Sequence, residues 1–304
     1  MCIMLVFTLF AGCANEQVPK EDGSYKKQVS EPELSVYMHE TGQVEKMKLE
    51  DYLEGVVAGE MRNDWDLNAL AAQAIIARTF TLQAYEKGQL TSQGTNASTD
   101  IKEFQAYNKN AINDKIKQAV QMTRGKIATY NGIPIMGWFH ASAGGMTALA
   151  KEGLNYKYEE PPFIHSVKSP DDLAPADVQN WTAEYTTEEV IEALKQIELD
   201  VDSIDSISIA KKGKSGRTET IMINNGVEVS GPKMRLALGS TKLKSMLLTD
   251  LTLSGNKVIF KGKGYGHGVG MSQWGAQKMA MDGKKSEDIV KYYFKNVEIE
   301  KRWD

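Results

Sequence analysis

One alanine-rich segment constrains the fold of this chain more than any other stretch of its sequence. Between Leu67 and Glu86, alanine occupies positions 69, 71, 72, 74 and 77, among others. Asp66 precedes the segment as a helix N-cap and Gly88 follows it near the C′ position, so the pattern predicts one long helix. Because alanine side chains are short, other elements can pack closely against several faces of such a helix. We therefore expect a central helix.

The rest of the chain predicts shorter helices and strands. Around the central helix, the patterns predict a hairpin at 34–47, helices at 49–58 and 113–124, and a second hairpin at 127–140 around Asn131-Gly132. Residues 151–180 are rich in Pro and Asp and are expected to be irregular. Further along, the patterns predict helices at 186–195, 230–238, 272–281 and 286–294, and strands at 204–209, 218–223, 227–229 and 258–260. The predicted class is α+β, with an Ala-rich helical core, β-hairpins and a β-rich second lobe.

Composition narrows the function classes. The chain has 304 residues, with 36 Lys and Arg against 40 Asp and Glu, and a net charge of −4. Proteins that bind nucleic acid backbones usually carry a basic excess, so nucleic acid is not an expected partner. Only 2 cysteines occur, both within the first thirteen residues, which excludes disulfide frameworks and Cys-based zinc sites from the rest of the chain. The sequence contains no run of about 18 apolar residues, so no ordinary transmembrane helix is predicted.

The N-terminus resembles an export signal. Ile3 to Phe10 is an apolar run too short to span a bilayer but suited to the core of a signal peptide, and Ala11-Gly12-Cys13 follows it. This arrangement resembles a bacterial lipobox, so we expect residues 1–13 to be a lipoprotein-type signal peptide and Cys13 to carry lipid. A plain cleaved secretion signal is the alternative, and the protein is exported under either interpretation. Residues 14–33 are expected to be a tether before one domain, 34–300, in which about 151–255 is a candidate second lobe.

The carboxylate of Glu60 is the first candidate for chemistry. It follows the apolar run 55–59, in which Gly59 permits a bend just before the acid. Val57 and Met61 would partly desolvate it, and desolvation raises a carboxyl pKa, as a general acid working near neutral pH requires. A solvated glutamate at a helix end is the alternative.

Four further polar side chains lie among apolar or small residues. If buried, Arg78 would need a carboxylate partner, which could be Glu60, another side chain or an acidic group of a ligand; a structural ion pair is an equal alternative. Gln73 would likewise need hydrogen-bond partners. Gln105 and Tyr107 offer an amide and a phenol, which suit sugar hydroxyls and ring faces but also occur in ordinary α+β cores.

The segment 138–147 runs from a strand into a glycine turn and contains His140 and Ser142. Ser142-Ala143-Gly144 resembles the latter part of a nucleophile elbow, but His140 replaces the first glycine of that motif and no helix follows at once. His140 is also poorly placed to act as the base of Ser142. A serine hydrolase is therefore a minor alternative.

The stretch from Gly264 to Ala276 is the most unusual in the chain, with glycine at every second position as far as Gly270. Its spacing fails the dinucleotide fingerprint and lacks the Lys-Ser/Thr of a P-loop, so neither kind of nucleotide binding is predicted. Glycine there lets the backbone approach a ligand or another segment closely. His267 could bind a substrate group or be satisfied in a tight turn. A metal shared with His140 and Glu60 lacks a close-spaced ligand pair to support it.

Taken in order, five motifs resemble one family. They are Gly55 to Met61, Ala71 to Thr79, Gln105 to Tyr107, His140 to Gly145, and Gly264 to Ala276. Together they resemble the stage II sporulation protein D family, from about residue 34 to 296. The last motif is the most specific of the five.

The resemblance implies a lytic transglycosylase that cleaves the MurNAc–GlcNAc β-1,4 bond of peptidoglycan strands lacking stem peptides and leaves 1,6-anhydroMurNAc ends. It implies that Glu60 is the catalytic acid. One carboxylate suffices for such an enzyme, whereas ordinary glycosidases need two, because the substrate's own C6 hydroxyl attacks C1. Arg78 is expected to orient Glu60 or to meet the lactyl carboxylate. The other expected substrate contacts are Gln73, Gln105, Tyr107, His140, Ser142, Tyr265, His267 and Gln273.

The resemblance also implies a setting and an alternative. Some relatives carry a cysteine soon after the strand histidine and bind zinc there, but this chain has Ser142 and no cysteine, so no cofactor is expected. The expected place is the outer face of the cell membrane during endospore engulfment, with a cell-wall amidase and a membrane scaffold protein as partners. The alternative is a non-catalytic, glycan-binding activator of a cell-wall amidase, like the relatives called amidase enhancers. Intact Glu60 and Arg78 favour the enzyme.

Overall fold

The computed structural model describes residues 30–304 and divides into two compact units. Within the described residues, unit 1 comprises 30–139 and 276–304, and unit 2 comprises 140–275. Unit 2 is therefore an insertion between the two parts of unit 1. The predicted signal peptide, the lipid site at Cys13 and the tether as far as residue 29 lie outside the described residues.

Helices and strands are mixed along the described chain, which confirms the predicted α+β class. The helices are α1 (Leu49–Glu60), α2 (Leu67–Glu86), α3 (Asp114–Met122), α4 (Ala150–Leu154), α5 (Ala176–Gln179), α6 (Thr187–Gln196), α7 (Gly231–Ala237), α8 (Gln273–Met281) and α9 (Ser286–Tyr293). The strands are β1 (Glu33–Met38), β2 (Gln43–Lys48), β3 (Ala97–Ser98), β4 (Lys126–Tyr130), β5 (Ile133–Pro134), β6 (Phe139–His140), β7 (Trp181–Thr186), β8 (Ile207–Lys212), β9 (Thr218–Ile223), β10 (Val227–Ser230), β11 (Leu248–Ser254), β12 (Lys257–Gly262), β13 (Met271–Ser272) and β14 (Glu298–Lys301). Among residues 30–304, no helix combines the length and the apolarity that a bilayer span requires.

Helix α2 has the predicted bounds and the predicted central place in unit 1. The Asp66 carboxylate accepts a hydrogen bond from Asn68 N at its start, and Gly88, with φ of +66°, follows its end. The helix packs against α1, α3, α9 and β4. Its alanines at 69, 71, 72, 74 and 77 are fully buried, as the close approach of neighbouring elements requires.

Two hairpins of unit 1 form at the predicted turns, but the second is much shorter than predicted. Strands β1 and β2 pair from Glu33↔Lys48 to Met38↔Gln43. Strands β4 and β5 meet around Asn131-Gly132, where both residues have positive φ, as a two-residue hairpin turn favours. The prediction of one strand as far as His140 is wrong: Ile135 N still donates to Ala128 O over 3.1 Å, but a tight turn in which Trp138 N donates to Met136 O over 2.9 Å separates β5 from β6. The other edge of β4 pairs instead with β14, a strand that the sequence pattern did not predict.

Unit 2 contains two three-stranded antiparallel sheets, with the orders β10-β9-β8 and β11-β12-β7. Apolar side chains of both sheets and of α6 and α7 form one core. Helix α6 begins with the capping box of Thr186 and Glu189, which confirms the predicted start. Strand β8 begins three residues later than the predicted 204–209, and β7 and β11 were not predicted. The last residue of β7, Thr186, is also the N-cap of α6, so the helix follows the strand without a loop.

Candidate active site

Glu60 is the last residue of α1, and its side chain is only 6% exposed. Its Oε1 accepts a hydrogen bond of 2.8 Å from the backbone N–H of Ala106. The helix ends here because Met61 turns into an extended conformation, while its own N–H still bonds to Val57 O. The carboxyl group thus lies at the C-terminal end of α1, held there by one backbone N–H.

A glycine notch, formed by Gly55 and Gly59 on α1, lets residues 105–108 lie directly against this helix. A Cβ on Gly59 would come within 2.7 Å of the backbone of Ala106, and one on Gly55 would overlap the Tyr107 ring. Asn108 N also donates to Gly55 O over 2.8 Å. The notch therefore sets the distance at which the Ala106 N–H meets Glu60.

Two stacked phenols, Tyr52 and Tyr107, lie along α1. The rings of Tyr52 and Tyr107 stack, with centroids 5.8 Å apart and an interplanar angle of 15°. Burial, followed by the charge of Glu60, raises the pKa of the Tyr52 phenol well above its ordinary value. Burial and nearby carboxylates also raise the pKa of Tyr107, which is half-buried. Both phenols are consequently neutral hydrogen-bond donors at neutral pH; Tyr52 feels the charge of Glu60, whereas the Tyr107 ring lies against Gly55 and near Glu45, Asp51 and Glu54.

Arg78 does not fill the predicted substrate-binding role. It is 0% exposed, and its guanidinium is bonded to Glu50 through Nε–Oε1 at 3.0 Å and Nη2–Oε2 at 2.6 Å. Its Nη1 also donates to Lys126 O over 3.0 Å. The structural ion pair is thus the correct alternative, since a fully buried cation with a bidentate carboxylate partner cannot meet a lactyl group. Glu50 was not identified from the sequence.

The two glutamines of unit 1 are also internal. Gln73, within α2, and Gln105 are both fully buried. Gln105 Nε2 donates to the hydroxyl of Thr81 over 2.8 Å, which fixes the segment that crosses the glycine notch. Because neither side chain is accessible to a ligand, both glutamines, which were predicted to contact substrate, are buried core residues instead.

In unit 2, the backbone of Val269 forms hydrogen bonds with both histidines that were predicted to contact substrate. His140 Nδ1 donates to Val269 O over 3.1 Å, and His267 Nδ1 accepts from Val269 N over 3.0 Å. The rings lie edge to face, with centroids 5.5 Å apart. Burial, then the neighbouring His267 and Arg217, lower the pKa of His140 well below its ordinary value. His140 is therefore a neutral imidazole with its proton on Nδ1.

Ser142 lies next to the glycine-rich segment but has no histidine base in His140. Its N–H and C=O pair with the backbone of Tyr265 at 3.0 and 2.9 Å, and its hydroxyl accepts from Gly144 N over 3.2 Å. Since Nδ1 of His140 is bonded to Val269 and its Nε2 has no hydrogen-bond partner among residues 30–304, His140 does not activate Ser142. The serine-hydrolase alternative loses its base.

The sequence did not single out Arg217, which organises the same region. Its Nη1 donates to Met146 O over 2.8 Å and its Nη2 to Ala143 O over 2.7 Å. A Cβ on Gly268 would overlap the Arg217 guanidinium, so only glycine at this position leaves room for the arginine side chain. Burial lowers the pKa of Arg217 to about 10, which leaves it charged at neutral pH. Its position between a polar turn and β9 gave no sequence signal of burial.

The remaining predicted contacts of unit 2 are buried. Tyr265 joins Ser142 through the backbone pair, and Gln273 is the first residue of α8. Ser272 caps this helix as predicted, since its hydroxyl accepts from Gly275 N over 3.3 Å. Among residues 30–304, no three His, Cys, Asp or Glu side chains are grouped so that they could hold a metal ion. Unit 1 thus brings the segment that carries Gln105 and Tyr107 against the helix of Glu60, and unit 2 brings together His140, Ser142, Tyr265 and His267.

Two family models match the chain. Residues 37–130, which include Glu60 and the glycine notch, match the model described as stage II sporulation protein. Residues 163–270 match a second model described as a domain of unknown function.

Individual relatives match over most of the chain. Stage II sporulation protein D of Bacillus subtilis is 32% identical over 295 residues, which cover 92% of this chain and 82% of that protein. An uncharacterized protein of Brachyspira hyodysenteriae is 33% identical over 84% of this chain and 67% of its own length. The amidase enhancer of Bacillus subtilis is 27% identical over 80% of this chain but only 39% of that protein. The chain therefore belongs to the stage II sporulation protein D family.

Proposed function

We propose that this protein is a lytic transglycosylase that cleaves the MurNAc–GlcNAc β-1,4 bond of peptidoglycan strands lacking stem peptides. The observation that carries the proposal is the carboxyl group of Glu60, which is buried at the end of α1 and fixed by the Ala106 N–H at 2.8 Å. A preorganised carboxyl group in such surroundings suits a general acid. Family membership supports the assignment of the sporulation role.

In the proposed reaction, Glu60 first protonates the glycosidic oxygen as the bond from C1 to that oxygen breaks. The C6 hydroxyl of the same MurNAc residue attacks C1, and a new bond between O6 and C1 closes the 1,6-anhydro ring. Glu60 then takes the proton that this hydroxyl loses, so the carboxyl group returns to its starting state and no water is consumed. We propose Tyr107, whose half-buried ring stacks on Tyr52, as a donor that holds a sugar hydroxyl during these steps.

The acids that follow Glu60 in the sequence support a mechanism with one carboxylate. Asp64 is exposed, and both of its oxygens are bonded to Arg62, at 3.1 and 2.9 Å. Asp66 caps α2 through Asn68 N. Neither is available as the second carboxylate of an ordinary glycosidase, whereas intramolecular attack by the C6 hydroxyl needs none.

A second candidate function is activation of a cell-wall amidase by a glycan-binding protein that does not cleave. The similarity to a protein named amidase enhancer favours it. The two candidates differ in whether Glu60 is required for breaking a bond.

We further propose that the protein acts at the outer face of the cell membrane, held there by lipid on Cys13. Its proposed partners are glycan strands, the amidase that removes stem peptides from them, and a membrane protein that scaffolds both. This setting follows from the lipobox-like sequence and from the substrate, which lies outside the membrane.

Mass spectrometry of peptide-free glycan strands incubated with the protein tests the proposal. We expect fragments ending in 1,6-anhydroMurNAc from the wild type and none from Glu60→Gln, because an amide cannot deliver the proton. Asp64→Asn is the matched control and should cleave at the wild-type rate. Reducing-end fragments would instead mean hydrolysis with a second carboxylate, and binding without any cleavage would favour the amidase activator.

A further inference from the structure

The hydroxyl of Thr81, inside α2, is a buried hydrogen-bond acceptor of fixed orientation. The side chain is 0% exposed, and the hydroxyl donates its hydrogen to Ala77 O over 2.9 Å. Because the hydrogen is used in this way, the Thr81 oxygen can only accept from any other neighbour. The neighbour that it accepts from is Gln105.

Gln105 connects Thr81 to the segment that crosses α1. Its Nε2 donates to the Thr81 oxygen over 2.8 Å, and the whole side chain is buried. Since Thr81 can only accept, the amide nitrogen and not the amide oxygen must face it, which determines how the Gln105 side chain is turned. A buried amide N–H that loses its acceptor is costly, so this bond keeps Gln105 against α2.

The peptide group after Gln105 carries the N–H that binds the carboxyl group of Glu60. Ala106 N donates to Glu60 Oε1 over 2.8 Å. On the side of α1, the backbone of Ala106 already lies against Gly59. The segment is therefore held between two helices, and a displacement of the Gln105 side chain moves the Ala106 N–H with it.

The phenols on either side of this contact carry no charge near neutral pH. Tyr52, which is 0% exposed, lies close enough to Glu60 and Gln105 for both to affect its pKa, and burial raises that pKa well above its ordinary value. Burial also raises the pKa of Tyr107, which follows Ala106 in the segment. Neither phenol therefore titrates in the range where a carboxyl group does.

The charges that follow Glu60 in the chain are also constant in that range. Arg62 and Asp64 pair with each other at 2.9 Å, and the Arg62 guanidinium lowers the pKa of the Asp64 carboxyl. The Ala106 N–H is then the contact whose loss alters the ionisation of Glu60. Because an N–H donor stabilises a carboxylate more than a carboxylic acid, its loss raises the pH at which Glu60 gives up its proton.

We propose that Thr81 is a positioning residue for Glu60, which acts through Gln105 to hold the Ala106 N–H on the carboxyl group and so sets the pH at which Glu60 ionises. The catalytic consequence of this rests on the proposed function, in which Glu60 is the acid. The effect of Thr81 on the ionisation of Glu60 does not rest on it.

Thr79, two residues earlier in α2, provides a matched comparison. It is also 0% exposed, and its hydroxyl donates to Ile75 O over 2.7 Å and accepts from Ala128 N over 2.9 Å. The two threonines therefore have the same burial and the same kinds of hydrogen bond. They differ in that Thr79 attaches β4 to α2, whereas Thr81 attaches the segment that holds Glu60.

NMR titration of the full chain with ¹³C-labelled glutamate carboxyl groups tests the inference, with the Glu60 signal identified by its loss in Glu60→Gln. Thr81→Val nearly keeps the shape of the side chain but removes the acceptor, and should raise the midpoint of the Glu60 titration by about one pH unit. Thr81→Ser keeps the hydroxyl and should retain the wild-type midpoint. Thr79→Val should leave the midpoint unchanged, although urea unfolding should show a comparable loss of stability.

Gln105→Met, which replaces the amide by an unbranched apolar side chain, should raise the midpoint as Thr81→Val does and serves if that variant does not fold. The alkaline limb of the pH profile of kcat/KM for anhydro-product formation should move to higher pH with the midpoint, because the acid stays protonated longer.

An unchanged midpoint in Thr81→Val, or an equal change in Thr79→Val, would overturn the inference. If the wild type forms anhydro products while the midpoint does not respond to Thr81→Val, the proposed function stands and the positioning role fails. If the midpoint rises but no anhydro products form, the positioning role stands and the transglycosylase fails.

Discussion

At the scale of single residues, Gly55 and Gly59 determine how the carboxyl group of Glu60 is held. They leave room for residues 105–108 to cross α1, and this crossing delivers the Ala106 N–H to Oε1 over 2.8 Å. The orientation of the acid therefore depends on the absence of side chains at positions 55 and 59. This dependence can be tested without touching the acid itself.

Gly59→Ala should lower the rate of anhydro-product formation about 100-fold, because a displacement of about 1 Å at a catalytic group costs that much. The added Cβ would stand 2.7 Å from the Ala106 backbone and push that segment away from Glu60. The effect should fall on kcat, measured with peptide-free strands. Gly226→Ala is the control, since no atom lies closer than 3.8 Å to a Cβ there. Equal rates for both variants would contradict the role of the notch.

His140 should make stability depend on pH. In the folded protein, burial and its positive neighbours hold its pKa well below the ordinary value near 6.5. As pH falls below about 6.5, the unfolded chain takes up a proton that the folded protein refuses, so stability present above that pH is progressively lost. His140→Asn keeps an N–H for Val269 O but cannot titrate.

Urea unfolding between pH 7.5 and 5 measures this dependence. The wild type should lose up to about 1.4 kcal/mol per pH unit relative to His140→Asn over the acid half of that range. The exposed His39, replaced by Asn, is the matched control. Parallel pH profiles for the wild type and His140→Asn would show that His140 is not buried as a neutral imidazole.

At the scale of elements, the pair of Glu50 and Arg78 joins the start of α1 to the middle of α2. Glu50 Oε1 also accepts from Gly125 N over 3.0 Å and from the indole N–H of Trp303 over 2.9 Å. One buried carboxylate therefore connects two helices, the start of β4 and the segment after β14. Such a pair holds elements in register more than it adds net stability.

Glu50→Gln should lower the free energy of unfolding by about 3 kcal/mol or more, because it leaves the Arg78 cation buried without a counter-charge. The matched control is Glu287→Gln, which removes the partner of Lys126 in a half-exposed pair of 2.8 Å. That change should cost about 1 kcal/mol or less. Urea unfolding measures both, and equal losses would mean that Arg78 does not depend on Glu50.

At the scale of the whole molecule, unit 1 is completed by the segment that follows the inserted unit 2. Strand β14 pairs with β4 from Glu298↔Thr129 to Lys301↔Lys126, and Arg302 N donates to Gly125 O over 2.9 Å. Unit 2, by contrast, has its own apolar core in one continuous stretch of chain. The two units should therefore respond differently to changes at residues 298–304.

Deleting residues 298–304 should destabilise unit 1 selectively. The edge of β4 loses its ladder and Glu50 loses the indole donor of Trp303. Hydrogen exchange should accelerate at the amides of α2 and β4 and stay unchanged at β9. Trp303→Phe, which removes only the indole donor, should give a smaller effect of the same sign. Unchanged exchange in α2 would contradict the proposed role of this segment.

Several features were determined by the sequence through interactions that reach no further than about one helical turn. The bounds of α2 follow from Asp66 and Gly88, the turn between β4 and β5 from Asn131-Gly132, and the start of α6 from the capping box. Glu60 at a helix end was predicted in the same way. Each of these depends on residues close together in the chain, so local propensity and hydrogen bonding suffice to specify it.

Only the tertiary structure decided which distant groups meet. Arg78 pairs with Glu50 rather than with a ligand, Gln105 bonds to Thr81, and Arg217 holds the turn after Ser142. A buried charge takes whichever partner the packing of all elements brings within reach, because leaving it unpaired costs more than any local preference can offset. The sequence alone therefore determined the helix that carries the acid, while the long-range fold decided what surrounds it.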